Sequence, residues 1–295
     1  NTNISLPTST TPSVGLLQGS VVKGPLQNAL VFADYNGNGV FDSNEPSTRT
    51  AADGSFSLQS SVPSAGFVAI TDESTTDAFT GNSVTGITLK APAGATVVTP
   101  ATTLYVEIKE TNPDIKSAEL ASALGLDEVN ILEFNPFSVD ADPKLALEAE
   151  KVASQIITTI TSISAAGEGA GATKEQAFAK ALNAVTSVVN SKINSGTPNN
   201  TNSENNIGGK IDFADNSLLS EVSTAAKAEL ATVVSSPEAL NTVLDSSVQA
   251  IKNVNDKIDT ASSLSDKESV AAFTVTAELT TQVLNAVKQE VVDPG

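Results

Sequence analysis

The chain has 295 residues, with 34 acidic against 16 basic side chains, a formal charge of −18, and only 4% aromatic residues beside 40% apolar ones. That charge argues against binding nucleic acid or adhering to anionic lipid through basic patches. The absence of His and Cys removes Ser-His-Asp triads, Cys proteases and ordinary zinc sites, and two Tyr with no Trp leave no aromatic platforms for a sugar-cleaving cleft.

No catalytic residues are therefore assigned, and the chain reads as non-enzymatic. Its length suits two domains of ~100–200 residues each, with a core built mostly from Ala, Val, Ile and Leu. Without Cys there are no disulfides, and bound metal is the obvious substitute. No run of ~18 apolar residues is present, so no membrane insertion is expected. Cys, Met, His and Trp are all missing and the sequence starts at Asn1. The expectation is a processed or excised segment of a bacterial protein that works outside the cell; export is inferred, since no signal peptide is present.

Residues 1–18 form the first unit. Asn1 to Gly15 is rich in Ser, Thr and Pro and without periodicity, which reads as an extended arm. Ile4, Leu6, Val14, Leu16 and Leu17 would let it add as a strand to a neighbouring sheet; a disordered leader is the competing reading.

Residues 19–98 carry a β pattern: strands at Ser20–Lys23 and Ala29–Ala33, then Phe67–Ile70 and Ile87–Leu89. A hairpin is expected between Ser47–Thr50 and Ser55–Leu58, because Asp53-Gly54 supplies the positive φ of a tight turn. Between Ala33 and Pro46 lies the strongest chemical motif. Asp34 to Glu45 fits the twelve-position calcium-loop pattern D-x-N-x-N-G-x5-E without mismatch. Oxygen from Asp34, Asn36, Asn38, the Val40 carbonyl, Asp42 and a bidentate Glu45 would suit a hard cation wanting six to eight ligands. The flanks differ from those of an EF-hand: a strand enters the loop, and Pro46 disfavours a helix leaving it. The alternative is a polar hairpin connection. Asp72, Glu73 and Asp77, in the loop Thr71–Gly86, could feed a second cation site, with a solvated loop as the competing reading.

Certain residues of this half carry a family likeness: Gly24-Pro25-Leu26, Val31-Phe32-Ala33-Asp34, Asn36-Gly37-Asn38-Gly39, Asp42, Glu45-Pro46 and Asp53-Gly54-Ser55-Phe56-Ser57-Leu58. Together with Ala91-Pro92-Ala93-Gly94-Ala95-Thr96-Val97-Val98-Thr99-Pro100-Ala101-Thr102-Thr103-Leu104, this stretch resembles the B-type, prealbumin-like β-sandwich modules of secreted bacterial surface adhesins, including marine and cyanobacterial ones. The pattern departs at Ala101, where a Leu usually follows the second Pro. The resemblance covers roughly residues 19–165. It implies a cell-surface or extracellular structural role with calcium and no catalytic residues.

From Thr99 the period changes to about 3.6, and residues 99–295 read as an α-helical domain. Helices are expected from Pro100 behind a Thr99 cap, from Lys116 to Leu124, from Pro143 behind Asp142, and from Thr173 behind a capping box. A break from Asn194 to Gly209 separates these from Leu218–Val234, Pro237–Ile258 and a single long helix Asp266–Val291 opened by Ser265-x-x-Glu268. No inward Glu or His pair at i, i+3 spacing marks a cofactor site, so the apolar stripes read as core.

The sequence thus predicts an α+β protein of two domains, an N-terminal Ig-like or prealbumin-like β-sandwich followed by a helical bundle. The functional expectation is a calcium-stabilised extracellular subunit of a filament, surface layer or adhesin, binding copies of itself through the arm. The alternative is a calcium-dependent module recognising extracellular polysaccharide or peptide through the loops 34–45 and 72–86.

Overall fold

A computed structural model describes residues 14–196 and 210–293. The fold is mixed α+β, with strands in the N-terminal part and helices after them. The expected arm over residues 1–13 and the part of the expected break over 197–209 lie outside the described residues.

Strand β1 (Gly15–Val21) runs antiparallel to β5 (Ser55–Ser60), and its end pairs in parallel with β9 (Val97–Val98). Residues 15–18, expected in the arm, are therefore already strand-paired within the chain. A second sheet has the order β4-β3-β6-β8, from Ser47–Arg49, Leu30–Asp34, Gly66–Ile70 and Thr88–Ala91. The short pair β2 (Leu26–Gln27) and β7 (Thr76–Asp77) stands apart from both. β5 alternates as a strand with one buried face should, with Phe56, Leu58 and Ser60 in and Ser57 and Gln59 out. In β3 the run Val31-Phe32-Ala33 is buried on both faces, with Phe41 packed against Phe32 at 5.4 Å between ring centres.

The turn at Asp53-Gly54 forms, but the expected hairpin does not. β4 pairs with β3 while β5 pairs with β1, so the turn carries the chain from one sheet to the other. The buried apolar residues of β5 are what draw it across.

Helix α1 (Pro100–Thr111) starts on a Thr99 capping box and lies along the edge of β8. There the Thr103 hydroxyl accepts the Lys90 N–H at 2.9 Å, and the Thr102 hydroxyl donates to the Lys90 carbonyl at 2.7 Å. Two threonines thus satisfy backbone groups of an edge strand that would otherwise offer them to another chain. After α2 (Ser117–Ala123), helix α3 (Pro143–Gly169) is capped by Asp142 and buries nearly every side from Val152 to Gly167. It packs against α4 (Lys174–Asn194), α6 (Pro237–Asp259) and α8 (Thr276–Val292), while α5 (Asn216–Leu230) lies between α4 and α6. One apolar core runs from Val21 and Leu89 through Leu104, Ile156 and Val185 to Val287 without a break at residue 98.

The long helix expected at Asp266–Val291 is two helices, α7 (Lys267–Phe273) and α8. Asp266, rather than Ser265, caps α7 by accepting the Ser269 N–H at 2.9 Å. The Thr274 carbonyl accepts from the Asn82 amide, and the Thr276 hydroxyl is tied to Thr158 at 2.7 Å. These tertiary bonds break a β-branched run with little helix preference of its own. Among the described residues, no helix is long and apolar enough to cross a membrane.

Candidate functional site

The loop 34–45 leaves β3 at Asp34 and re-enters the sheet at Ser47. Its conformation follows from short-range side-chain to backbone bonds. The Asp34 carboxylate accepts the N–H groups of Gly37 at 2.7 Å and Gly39 at 2.8 Å, and Gly39 turns the chain at φ +71°, a value costly for residues with a Cβ. Asn36 Oδ1 accepts the Asn38 N–H and Asn38 Oδ1 accepts the Val40 N–H, two successive Asx turns. Glu45 is buried and spans the loop, with Oε1 on the Tyr35 N–H at 2.7 Å and Oε2 on the Asp42 N–H at 2.9 Å.

The Nδ2 groups of Asn36 and Asn38 converge on Asp42 Oδ2, at 2.9 and 3.1 Å. The residue types (three carboxylates and two amide oxygens) fit a hard cation. The loop as it stands is closed on its own donors: both amide nitrogens face Asp42, and the carboxylate oxygens of Asp34 and Glu45 accept backbone N–H groups. Each of those carboxylate oxygens keeps a second lone pair, whereas turning the two amides over to aim their oxygens at the same point would break both Asx turns. Among the described residues, no three Asp, Glu, His or Cys side chains form a group spaced to hold a metal ion.

The three acids of loop 71–86 do not gather. Asp72 binds Arg49 at 2.6 Å and the Ser74 N–H at 2.9 Å, and the Arg49 and Ser74 bonds draw its pKa down to about 2. Glu73 is exposed. Asp77 turns inward. Its partner is Lys23, at 3.3 Å between Nζ and Oδ2, with both side chains out of solvent.

Asp77 arrives there because β7 pairs with β2 in the register Leu26↔Asp77. Its Oδ1 is held by the N–H groups of Phe79 and Thr80 at 2.8 and 3.2 Å. Gly24 sits beneath it at φ +63°, where any Cβ would run into the Asp77 carboxylate. From the other side comes Glu150 of α3, fully buried, accepting the Gly24 N–H at 3.2 Å and the Ser154 hydroxyl at 3.0 Å. Burial pushes the Glu150 pKa up to about 7, with Lys23 opposing and Asp77 adding to the rise. Uptake of a proton there leaves the Lys23–Asp77 pair balanced in a setting where an extra charge is costly. The cluster pins the β1–β2 turn, the β7 loop and α3 together.

The chain matches no protein-family model, no curated protein and no solved structure.

Sequence reasoning missed this cluster. The sequence pattern places Lys23 on a strand, Asp77 in a polar loop and Glu150 beside the apolar stripe of α3. One signal was available: Ala146, Ala153 and Ile157 extend the apolar arc of α3 from the stripe of Val152 and Ile156 round toward Glu150, and a wide apolar arc buries a polar residue at its edge.

Proposed function

We propose that this chain is a non-enzymatic structural module of an extracellular or cell-surface bacterial protein, of the filament, surface-layer or adhesin kind, whose β-rich part is clasped by calcium in loop 34–45. The reading rests on one observation. The side chains at positions 3 and 5, Asn36 and Asn38, meet at Asp42 Oδ2 of position 9, while Asp34 at position 1 and the buried Glu45 at position 12 hold the loop backbone around them. Asp34, Asn36, Asn38, Asp42 and Glu45, with the Val40 carbonyl, would hold the ion, and its contribution is cross-linking a chain that has no disulfides. At the finer level of architecture, we read the two larger sheets as a small sandwich, with Phe56 of β5 meeting Phe67 of β6 at 5.0 Å, and the helices around α3 as a bundle.

The test is a calcium titration by calorimetry with thermal melts in calcium and in chelator. Calcium at a hundredfold its Kd should stabilise by about 2.7 kcal/mol, several degrees in Tm, and Glu45→Ala should lose that response. Identical melts in calcium and chelator would sink the clasp. Assembly is tested separately by electron microscopy of the full chain and of a deletion of residues 1–13, which spares β1. Polymers lost on deletion support linkage through the arm; polymers that persist refute it.

The second reading, a calcium-dependent carbohydrate- or peptide-binding module, is favoured by the exposure of Val40 and Phe41 on the loop. A glycan array with and without chelator separates the two.

A further inference from the structure

Behind the Lys23–Asp77 pair, between the loop 77–87 and helices α3, α4 and α8, lies a cavity of about 250 Å³. It exceeds the roughly 150 Å³ that admits benzene and approaches the roughly 300 Å³ at which small-molecule pockets begin. Its walls are of two kinds. Phe178 and Phe273, both buried, supply an apolar side. The rest is polar and contains groups left short of partners. Lys23 makes a single hydrogen bond, the 3.3 Å contact to Asp77, so two of its three ammonium N–H groups are unclaimed among the described residues. Ser164 is 5% exposed, and its hydroxyl has no hydrogen-bond partner among the described residues. The hydroxyls of Thr161 and Thr280 donate to the carbonyls of Ile157 and Thr276, at 2.7 and 2.9 Å, and lie 3.4 Å from each other, so each retains at least one lone pair for an incoming donor.

We propose that this cavity is a binding site for a small uncharged polyhydroxyl molecule, of monosaccharide or sugar-alcohol size. A hydroxyl both donates and accepts, which suits a wall holding the Lys23 ammonium beside Thr161, Thr280 and Ser164. A carboxylate only accepts and would face Asp77 and Glu168, both of which line the cavity. An amine only donates and would face Lys23. The carbon face of a pyranose or polyol fits against Phe178 and Phe273. None of the calcium-loop residues takes part, so this site stands or falls independently of the clasp.

The experiment is isothermal titration of the full chain with glucose, galactose, xylose and xylitol, with butyrate and butylamine as charged comparators. Thr281 is an exposed lining residue, and Thr281→Trp obstructs the cavity without entering the core. Saturable binding of at least one of the four polyols is expected, weakened about tenfold or more in Thr281→Trp with an unaltered melting curve. Should that variant misfold, Ser164→Ala, which removes only the unpartnered hydroxyl, is expected to weaken binding in the same direction. Absence of binding by all four, unchanged affinity in a folded variant, or binding confined to butyrate or butylamine overturns the proposal.

Discussion

The loop 34–45 and the Lys23–Asp77–Glu150 cluster both depend on carboxylates that accept hydrogen bonds from backbone N–H groups, yet they are assembled on different scales. The bonds of the loop span at most 10 residues, whereas those of the cluster span 54 and 126. The loop lies at the surface, where water competes for every donor. The cluster is withdrawn from bulk solvent, so an unpaired group there costs more than one at the surface. Local closure makes a motif readable, and burial makes a contact matter energetically.

The sharpest way to break this contrast is to remove Asp77. Asp77→Ala leaves Lys23 with only the Glu150 carboxyl to balance it, and an expected loss of about 3 kcal/mol should appear as a lower urea midpoint at constant m-value. Replacing both partners, as Lys23→Met with Asp77→Leu, should recover most of that loss. A single-site loss under about 1 kcal/mol would put the pair on a par with an exposed one.

Next in size is the effect of pH. Glu150 has a folded-state pKa of about 7 against an ordinary 4.5, so the folded chain holds this proton more tightly than the unfolded one. Its contribution is fully present below about pH 4.5 and declines by about 3 kcal/mol as pH rises through 7. Denaturant titrations across that window should show the decline, and Glu150→Gln should flatten it. A wild-type curve level from pH 4.5 to 7 would contradict the burial argument.

The surface half of the comparison predicts smaller changes. Glu45→Ala, measured in chelator, removes the acceptor of two backbone N–H groups and should cost about 1–3 kcal/mol. Arg49→Ala breaks an exposed pair with Asp72 and should cost no more than about 1 kcal/mol. If Arg49→Ala proves the costlier change, the loop is not held by Glu45.

Much of the helical half was legible for the same local reason. Thr99, Asp142 and Thr173 cap the helices they precede, because a cap is satisfied by groups two or three residues away. The Asp53-Gly54 turn was equally legible, but the sheet to which each flanking strand belongs was not. That choice depends on which face of β5 finds apolar partners, and Phe56 finds Phe67 of another sheet. The break between α7 and α8 was hidden similarly, since the bonds to Thr158 and Asn82 come from distant parts of the chain.

The sequence by itself determined the order of strands before helices, the caps at Thr99, Asp142 and Thr173, the Asp53-Gly54 turn and the ligand-like spacing of Asp34, Asn36, Asn38, Asp42 and Glu45, all set by dihedral preference and contacts a few residues long. Only the tertiary structure decided that Asp77 is buried while Asp72 is exposed, that Glu150 faces Gly24, and that Lys23 lines a cavity. Those outcomes depend on which surfaces exclude water together, and distant segments must meet before any such surface exists.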